Sequence, residues 1–193
     1  MSNEPRQERA VRTREQILTG AVDVLVEHGY AGMTMQRVQS AAGVTRGALT
    51  HHFKSMTQIA VAAVDFIAAN QADEIRDAIA PGMSIDDAVE VIHEITRRPT
   101  YVAGLQLWSA ARTEPALREA LQPGAHQLFV ELQQTLAPFV DDLDEQRFTI
   151  FLDGLLSLLR GLAIGAVLRD RPDREKQVLA AWLTIFASNG QPA

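Results

Sequence analysis

Apolar residues recur along most of this chain at spacings of one, three and four, the period of helices buried on one face. Between Arg9 and Glu27 the stripe is Ile17, Leu18, Ala21, Val22, Leu25 and Val26, and Gly29 predicts its end. Thr34 offers a hydroxyl cap for a short helix over Met35–Ala42 that stops at Gly43, and Thr45 caps another running to about Phe53. Ser55 or Thr57 restarts a long helix rich in alanine and valine, which Pro81 and Gly82 break after about Ala80.

Beyond that break the period resumes in SIDDAVEVIHEI, where Ser84 caps, Asp87 stands at the third helical position, and Pro99 follows the end. Further helices are predicted over Tyr101–Arg112, Pro115–Leu121 and Gly124–Ala137, the last followed by the acidic loop VDDLDEQ. Two more cover about Glu145–Arg169 and Pro172–Ser188. No segment alternates with period two, so the expected fold is all-α with nine or ten helices.

Composition narrows the chemistry. The 193 residues are 47% hydrophobic and 22% charged, enough for one core or two small ones. There is no cysteine, which excludes disulfides, thiolate metal sites and cysteine nucleophiles. The first residues hold no apolar signal core, so the cytoplasm is the expected location. Residues 1–54 carry seven Arg/Lys against five Asp/Glu, net +2, and the remainder eleven against nineteen, net −8. A basic head can attract a polyanion, but an excess this small fits a solvated surface at least as well, so the pattern must decide.

The stretch TMQRVQSAAGVTRGALTHHF, Thr34 to Phe53, has helix-turn-helix spacing: a short helix, a glycine turn, and a second helix whose outer face can enter a major groove. Val38, Ala41, Val44 and Leu49 are expected inside, with Ala42 and Gly43 small enough for close approach at the turn. Gln36, Arg37, Thr45, Arg46, Thr50 and His51 are left outside. Spacing alone fits a polar helical corner equally well.

The wider segment HGYAGMTMQRVQSAAGVTRGALTHHFKS, His28 to Ser55, resembles the TetR family of bacterial transcriptional regulators. That family's signature is a first helix ending in Gly-Tyr/Phe, a Thr-capped helix closing on Ala-x-x-Ala-Gly-Val, then a short recognition helix closing on an aromatic, His and Phe before a lysine. Thr50 departs from it, standing where the family usually has a phosphate-touching tyrosine, and Met56 stands where lysine is common. The resemblance implies a DNA-binding domain over residues 1–55 and an effector-binding and dimerisation domain over 56–193. It implies base reading by Arg46 and Gln36, with Gly47 letting backbone approach the duplex and Thr45, Thr50 and His51 touching bases or sugars. Thr34, Arg37, His52 and Lys54 are then the phosphate contacts, and Arg6, Arg9, Arg12 and Arg14 form a basic arm.

His51 and His52 are adjacent on one helix, so their side chains diverge by about 100° and do not chelate one ion; no metal and no cofactor is expected. No nucleophile elbow, P-loop, dinucleotide fingerprint or zinc-protease motif occurs, which makes an enzyme the weaker class. FTIFLDGLLSLLRGLAIGAVL, Phe148 to Leu168, has the length of a membrane span, but Asp153 and Arg160 argue against one. Gly154, Ser157, Gly161 and Gly165 instead form a ridge of small residues on one face. With Trp182 and Phe186 they are the expected homodimer interface. His93, Arg97, Tyr101, Leu105, Gln106, Trp108, His126 and Phe129 are candidates to line a cavity for a mostly apolar small molecule. Two functions stand: a dimeric repressor that a ligand releases from a pseudo-palindromic operator, and an all-α enzyme or small-molecule carrier with an incidental helix-turn-helix corner.

Overall fold

A computed structural model describes residues 6–80, 82–140 and 143–188, so the expected break at Pro81, Asp141 and Asp142 of the acidic loop, and the side chain of Arg6 lie outside the described residues. The fold is all-α: α1 (Arg6–Gly32), α2 (Met35–Ala42), α3 (Arg46–His52), α4 (Met56–Ala78), α5 (Ile85–Thr96), α6 (Pro99–Ala111), α7 (Pro115–Leu136), α8 (Glu145–Ala166) and α9 (Pro172–Ser188), with one 3-10 turn, Ala137–Phe139.

These helices form two compact units. The first takes the chain up to Ala69 together with Ala103–Ala125; the second takes Asn70–Val102 and the chain from His126 onward. Compactness therefore divides the chain differently from a functional boundary at residue 55, because the start of α4, most of α6 and the start of α7 close the first core. That core gathers Ile17, Leu18 and Leu25 of α1, Val38 of α2, Leu49 of α3, Ile59 of α4, Leu107 of α6 and Leu117 of α7. The second gathers Val89 and Ile92 of α5, Leu136 of α7, Phe151, Leu152, Leu155 and Leu159 of α8, and Leu179 of α9.

Local chemistry explains most helix boundaries. At the start of α4 the Gln58 N–H donates to Ser55 Oγ at 3.2 Å, which makes Ser55, not Thr57, the starting residue, while Gln58 Oε1 accepts from the N–H of the preceding Lys54 at 2.8 Å. Ser84 starts α5 by accepting from the Asp87 N–H at 3.1 Å. Gly29 does interrupt α1, with φ 66° and ψ 175°, but the chain re-enters helical geometry for one short stretch to Gly32.

Two expectations are corrected. The segments Pro115–Leu121 and Gly124–Ala137 are one helix, α7, which runs through Pro123. Proline withdraws the N–H that the Glu119 carbonyl would accept, yet apolar anchors on both sides, Leu117 and Leu121 in the first core and Leu132 and Leu136 in the second, hold the chain helical. Ala41 is exposed rather than inward. The segment's contact with α1 is through backbone: a β-carbon on Gly20 would lie 2.5 Å from Ala42 N and 3.0 Å from Ala41 C. Among the described residues α8 is the one helix long and apolar enough to cross a membrane; its Phe151, Leu152, Leu155 and Leu159 lie in the second core.

Candidate nucleic-acid interface

The helix-turn-helix is fixed by three local devices. Thr34 Oγ1 accepts from the Arg37 N–H at 3.2 Å and starts α2. Gly43 takes a left-handed conformation, φ 64°, from which its N–H reaches Ser40 O while the Val44 N–H reaches Gln39 O, both at 3.3 Å. Those crossed bonds satisfy the last carbonyls of α2 and turn the chain. Thr45 Oγ1 then accepts from the Ala48 N–H at 3.2 Å and starts α3. Buried Val38, Leu49 and Phe53 seat the two helices on the first core.

What remains outward is polar and donor-rich. Thr34, Gln36, Arg37, Thr45, Arg46, Gly47, Thr50, His51 and Lys54 are exposed, and His52 is half-buried. The face of α3 at Gly47 is open, since a β-carbon there would meet nothing closer than Thr45 Oγ1 at 4.0 Å. Several donors are already engaged. Arg37 Nη1 donates to Gly32 O at 2.6 Å. The Thr50 hydroxyl donates to Arg46 O at 3.0 Å, the i−4 bond common for a helical threonine. Lys54 Nζ donates to Thr50 O at 2.8 Å, which leaves two of its three protons.

Arg14 of α1 lies over the Phe53 ring, 5.6 Å from its centroid, so this arm residue braces the end of α3. Burial, followed by the charges of His51 and Arg14, holds the His52 imidazole below its ordinary pKa of 6.5. Burial raises the Asp65 carboxyl, with Arg14 pulling the other way. The His51 and His52 rings meet edge to face, 5.4 Å apart and at 80°. No group of three His, Cys, Asp or Glu suited to a metal occurs among the described residues.

A second set of contacts in the first unit holds the kink of α1. The Tyr30 N–H donates to Gln106 Oε1 at 3.1 Å, and the Tyr30 hydroxyl donates to Glu114 Oε2 at 3.1 Å. Burial and that carboxylate raise the Tyr30 pKa.

The eight candidate cavity residues divide between the units. Leu105, Gln106 and Trp108 belong to the first; His93, Arg97, Tyr101, His126 and Phe129 belong to the second. Gln106 is committed to Tyr30. His93, 1% exposed, meets Glu175 Oε2 through Nε2 at 3.1 Å, and Arg97 donates to the same oxygen and to Asp170. A carboxylate oxygen that already accepts from a guanidinium can only accept from the imidazole, so Nε2 carries the proton and Nδ1 is left without a partner among the described residues. Tyr101 is half-buried with its hydroxyl on Arg160; burial raises its pKa and Arg160 opposes that. Phe129 packs against the second core, and His126 is exposed.

Of the six interface candidates, Gly154 lies under Trp182 of the same chain, where a β-carbon would come within 2.9 Å of Cζ2. Trp182 and Phe186 are half-buried and stack on one another, their centroids 5.6 Å apart. Ser157, Gly161 and Gly165 face outward, and β-carbons on both glycines would enter open space. Beside them Ile164, Val167 and Leu168 are exposed by 57%, 67% and 88%.

Sequence reasoning passed over four residues that matter. Gln58 was readable as the partner of a Ser55 cap, and Gly20 as a glycine inside a helical stripe, a usual sign of close packing. Tyr30 and Glu175 carried no local signal, since their partners stand 76 to 84 and 78 to 82 residues away.

The pattern described as bacterial regulatory proteins, tetR family, matches residues 17–63, which span the helix-turn-helix and its supports. The chain is similar to the HTH-type transcriptional regulator CymR of Pseudomonas putida, 29% identical over 92% of this chain and 91% of that protein. It is similar also to the HTH-type transcriptional repressor AcnR of Corynebacterium efficiens, 31% identical over 58% of this chain and 57% of that one. In fold it matches a transcriptional regulator from Rhodococcus sp. Rha1, with TM-score 0.75 and 16% identity over 91% of this chain and 96% of the other.

Proposed function

The chain belongs to the tetR family of bacterial regulatory proteins, and on that premise we propose that it is a cytoplasmic repressor, acting as a homodimer on a pseudo-palindromic operator and released by a small ligand. It is a DNA-binding transcriptional regulator. The observation that carries the proposal is the outer face of α3, where Arg46 and the open Gly47 stand exposed while Leu49 and Phe53 anchor the helix from behind. Arginine beside bare backbone is the pairing that lets a helix sit deep in a major groove and reach guanine edges. Gln36, Thr45, Thr50 and His51 flank it as further base or sugar contacts, with Thr34, Arg37, His52 and Lys54 on phosphates.

The dimer reading is supported by the exposed ridge of Ser157, Gly161 and Gly165 with Ile164, Val167 and Leu168 beside it. A twofold axis there would present two copies of α3 to half-sites about 34 to 36 Å apart, one helical turn, or slightly more. The ligand reading draws on a solvent-open apolar cavity in the first unit.

The deciding experiment is selection of bound fragments from random duplex DNA with the full-length protein. Enrichment of a pseudo-palindrome is the expected result; a pool that stays random at matched salt overturns the reading.

A further inference from the structure

Between the end of α6 and the first half of α7, within the first unit, lies a cavity of about 280 Å³ that opens to solvent. Its apolar walls are Ala111, Leu121, Ala125 and the indole of Trp108, which is 37% exposed. Arg112, Arg118 and Gln122 complete the lining. Neither arginine side chain has a hydrogen bond or ion pair among the described residues.

The chain carries 24 Asp and Glu against 18 Arg and Lys, yet no carboxylate among the described residues pairs with either of these two. Glu114, four residues before Arg118 and placed to pair with it on a helix, is engaged instead by the Tyr30 hydroxyl. An aromatic wall, three apolar neighbours and two unpaired guanidinium groups match one ligand chemistry, a hydrocarbon body bearing an anionic oxygen pair that arginine can grip through two parallel N–H donors. We infer that this cavity binds a small organic carboxylate with an aromatic or aliphatic body, of about the bulk of two fused rings. The volume stands near the lower end of small-molecule sites, which run from about 300 to 1,000 Å³.

For its regulatory consequence the inference rests on the effector reading above. Gln106 on α6 and Glu114 at the turn into α7 hold the backbone and hydroxyl of Tyr30, at the kink of α1. A carboxylate drawn between Arg112 and Arg118 acts on that same turn, inside the unit that carries the helix-turn-helix.

The test uses 2-naphthoate and its neutral counterpart 2-naphthamide, titrated by calorimetry into the full-length protein and into the variants Arg112→Gln, Arg118→Gln and Ala125→Phe. Naphthoate is expected to bind, with naphthamide about tenfold weaker, each arginine variant losing about tenfold for naphthoate only, and Ala125→Phe losing both ligands. Equal affinity for acid and amide, naphthoate binding unchanged in both arginine variants, or no naphthoate binding at millimolar concentration overturns the site. Operator affinity is measured in parallel with and without naphthoate. Naphthoate that binds through the arginines and leaves operator affinity unchanged upholds the site and removes its role as effector, while loss of naphthoate binding with intact operator binding removes the site and leaves the regulator standing.

Discussion

Gly20 and Ala42 meet backbone to backbone: a β-carbon on Gly20 would lie 2.5 Å from the Ala42 nitrogen. Neither neighbour can yield by a side-chain rotation, so the first helix fixes the end of the second through a contact only glycine allows. Gly20→Ala gains about 0.5 to 1 kcal/mol of intrinsic helix preference and is nevertheless expected to destabilise the fold by about 1 to 3 kcal/mol through overpacking. Urea denaturation measures the net sign. An unchanged or raised midpoint would show that the two helices separate without cost.

Gly47→Ala is the opposite case, with open space around the added carbon. Its melting temperature should stay level or rise, while operator affinity falls because the methyl stands where backbone approaches the duplex. Unimpaired operator binding by this variant would place the groove contact elsewhere on α3.

Arg46→Ala should weaken binding to the selected site by about 1 to 3 kcal/mol and affect random DNA less. Lys54→Ala should weaken both alike and reduce the salt slope by about one. Binding measured across a salt series separates the two roles, and identical profiles for the two variants would refute the division between base reading and phosphate anchoring.

His52 supplies a pH dependence. In the free protein its pKa lies below the ordinary 6.5, with burial the largest cause and His51 and Arg14 adding to it. On the phosphate contact proposed for it, the neighbouring negative charge would favour the charged ring and raise the pKa in the complex, so DNA binding would take up a proton. Operator affinity should therefore rise as pH falls through the window between the bound and free values. His52→Gln should remove that component. A wild-type pH profile retained by the variant would exclude His52 as its source.

Much of this molecule is written locally, and that part is legible in the sequence. Thr34, Thr45 and Ser84 cap the helices expected of them because a cap bonds within three residues of itself. α7 was not legible as one helix, since what carries it past Pro123 is core packing on both sides rather than any signal at the proline. The cavity candidates mixed three fates: Gln106 holds Tyr30, His93 and Arg97 hold Glu175, and Trp108 lines a cavity. Apolar or polar character alone does not distinguish these, because each depends on a partner tens of residues away.

Gly161→Leu separates association from folding. The added side chain meets open space within one chain, so the fold should persist by circular dichroism, while sedimentation should show dissociation and operator binding should fall with it. A dimer of wild-type strength in this variant would move the interface off the ridge. Gly154→Ala, under Trp182, should instead lower stability.

The Thr50 hydroxyl spends its hydrogen on the Arg46 carbonyl. Its oxygen can then only accept, and a phosphate oxygen also only accepts, so in this arrangement residue 50 has no proton to offer a DNA strand. What it brings to the groove is a methyl group, whose natural counterpart is the C5-methyl of thymine. On the groove contact proposed above, position 50 would read a hydrocarbon surface rather than anchor a phosphate, and replacing a single thymine by uracil in the operator half-site is the measurement that checks it: weaker binding is expected, and unchanged binding refutes the role.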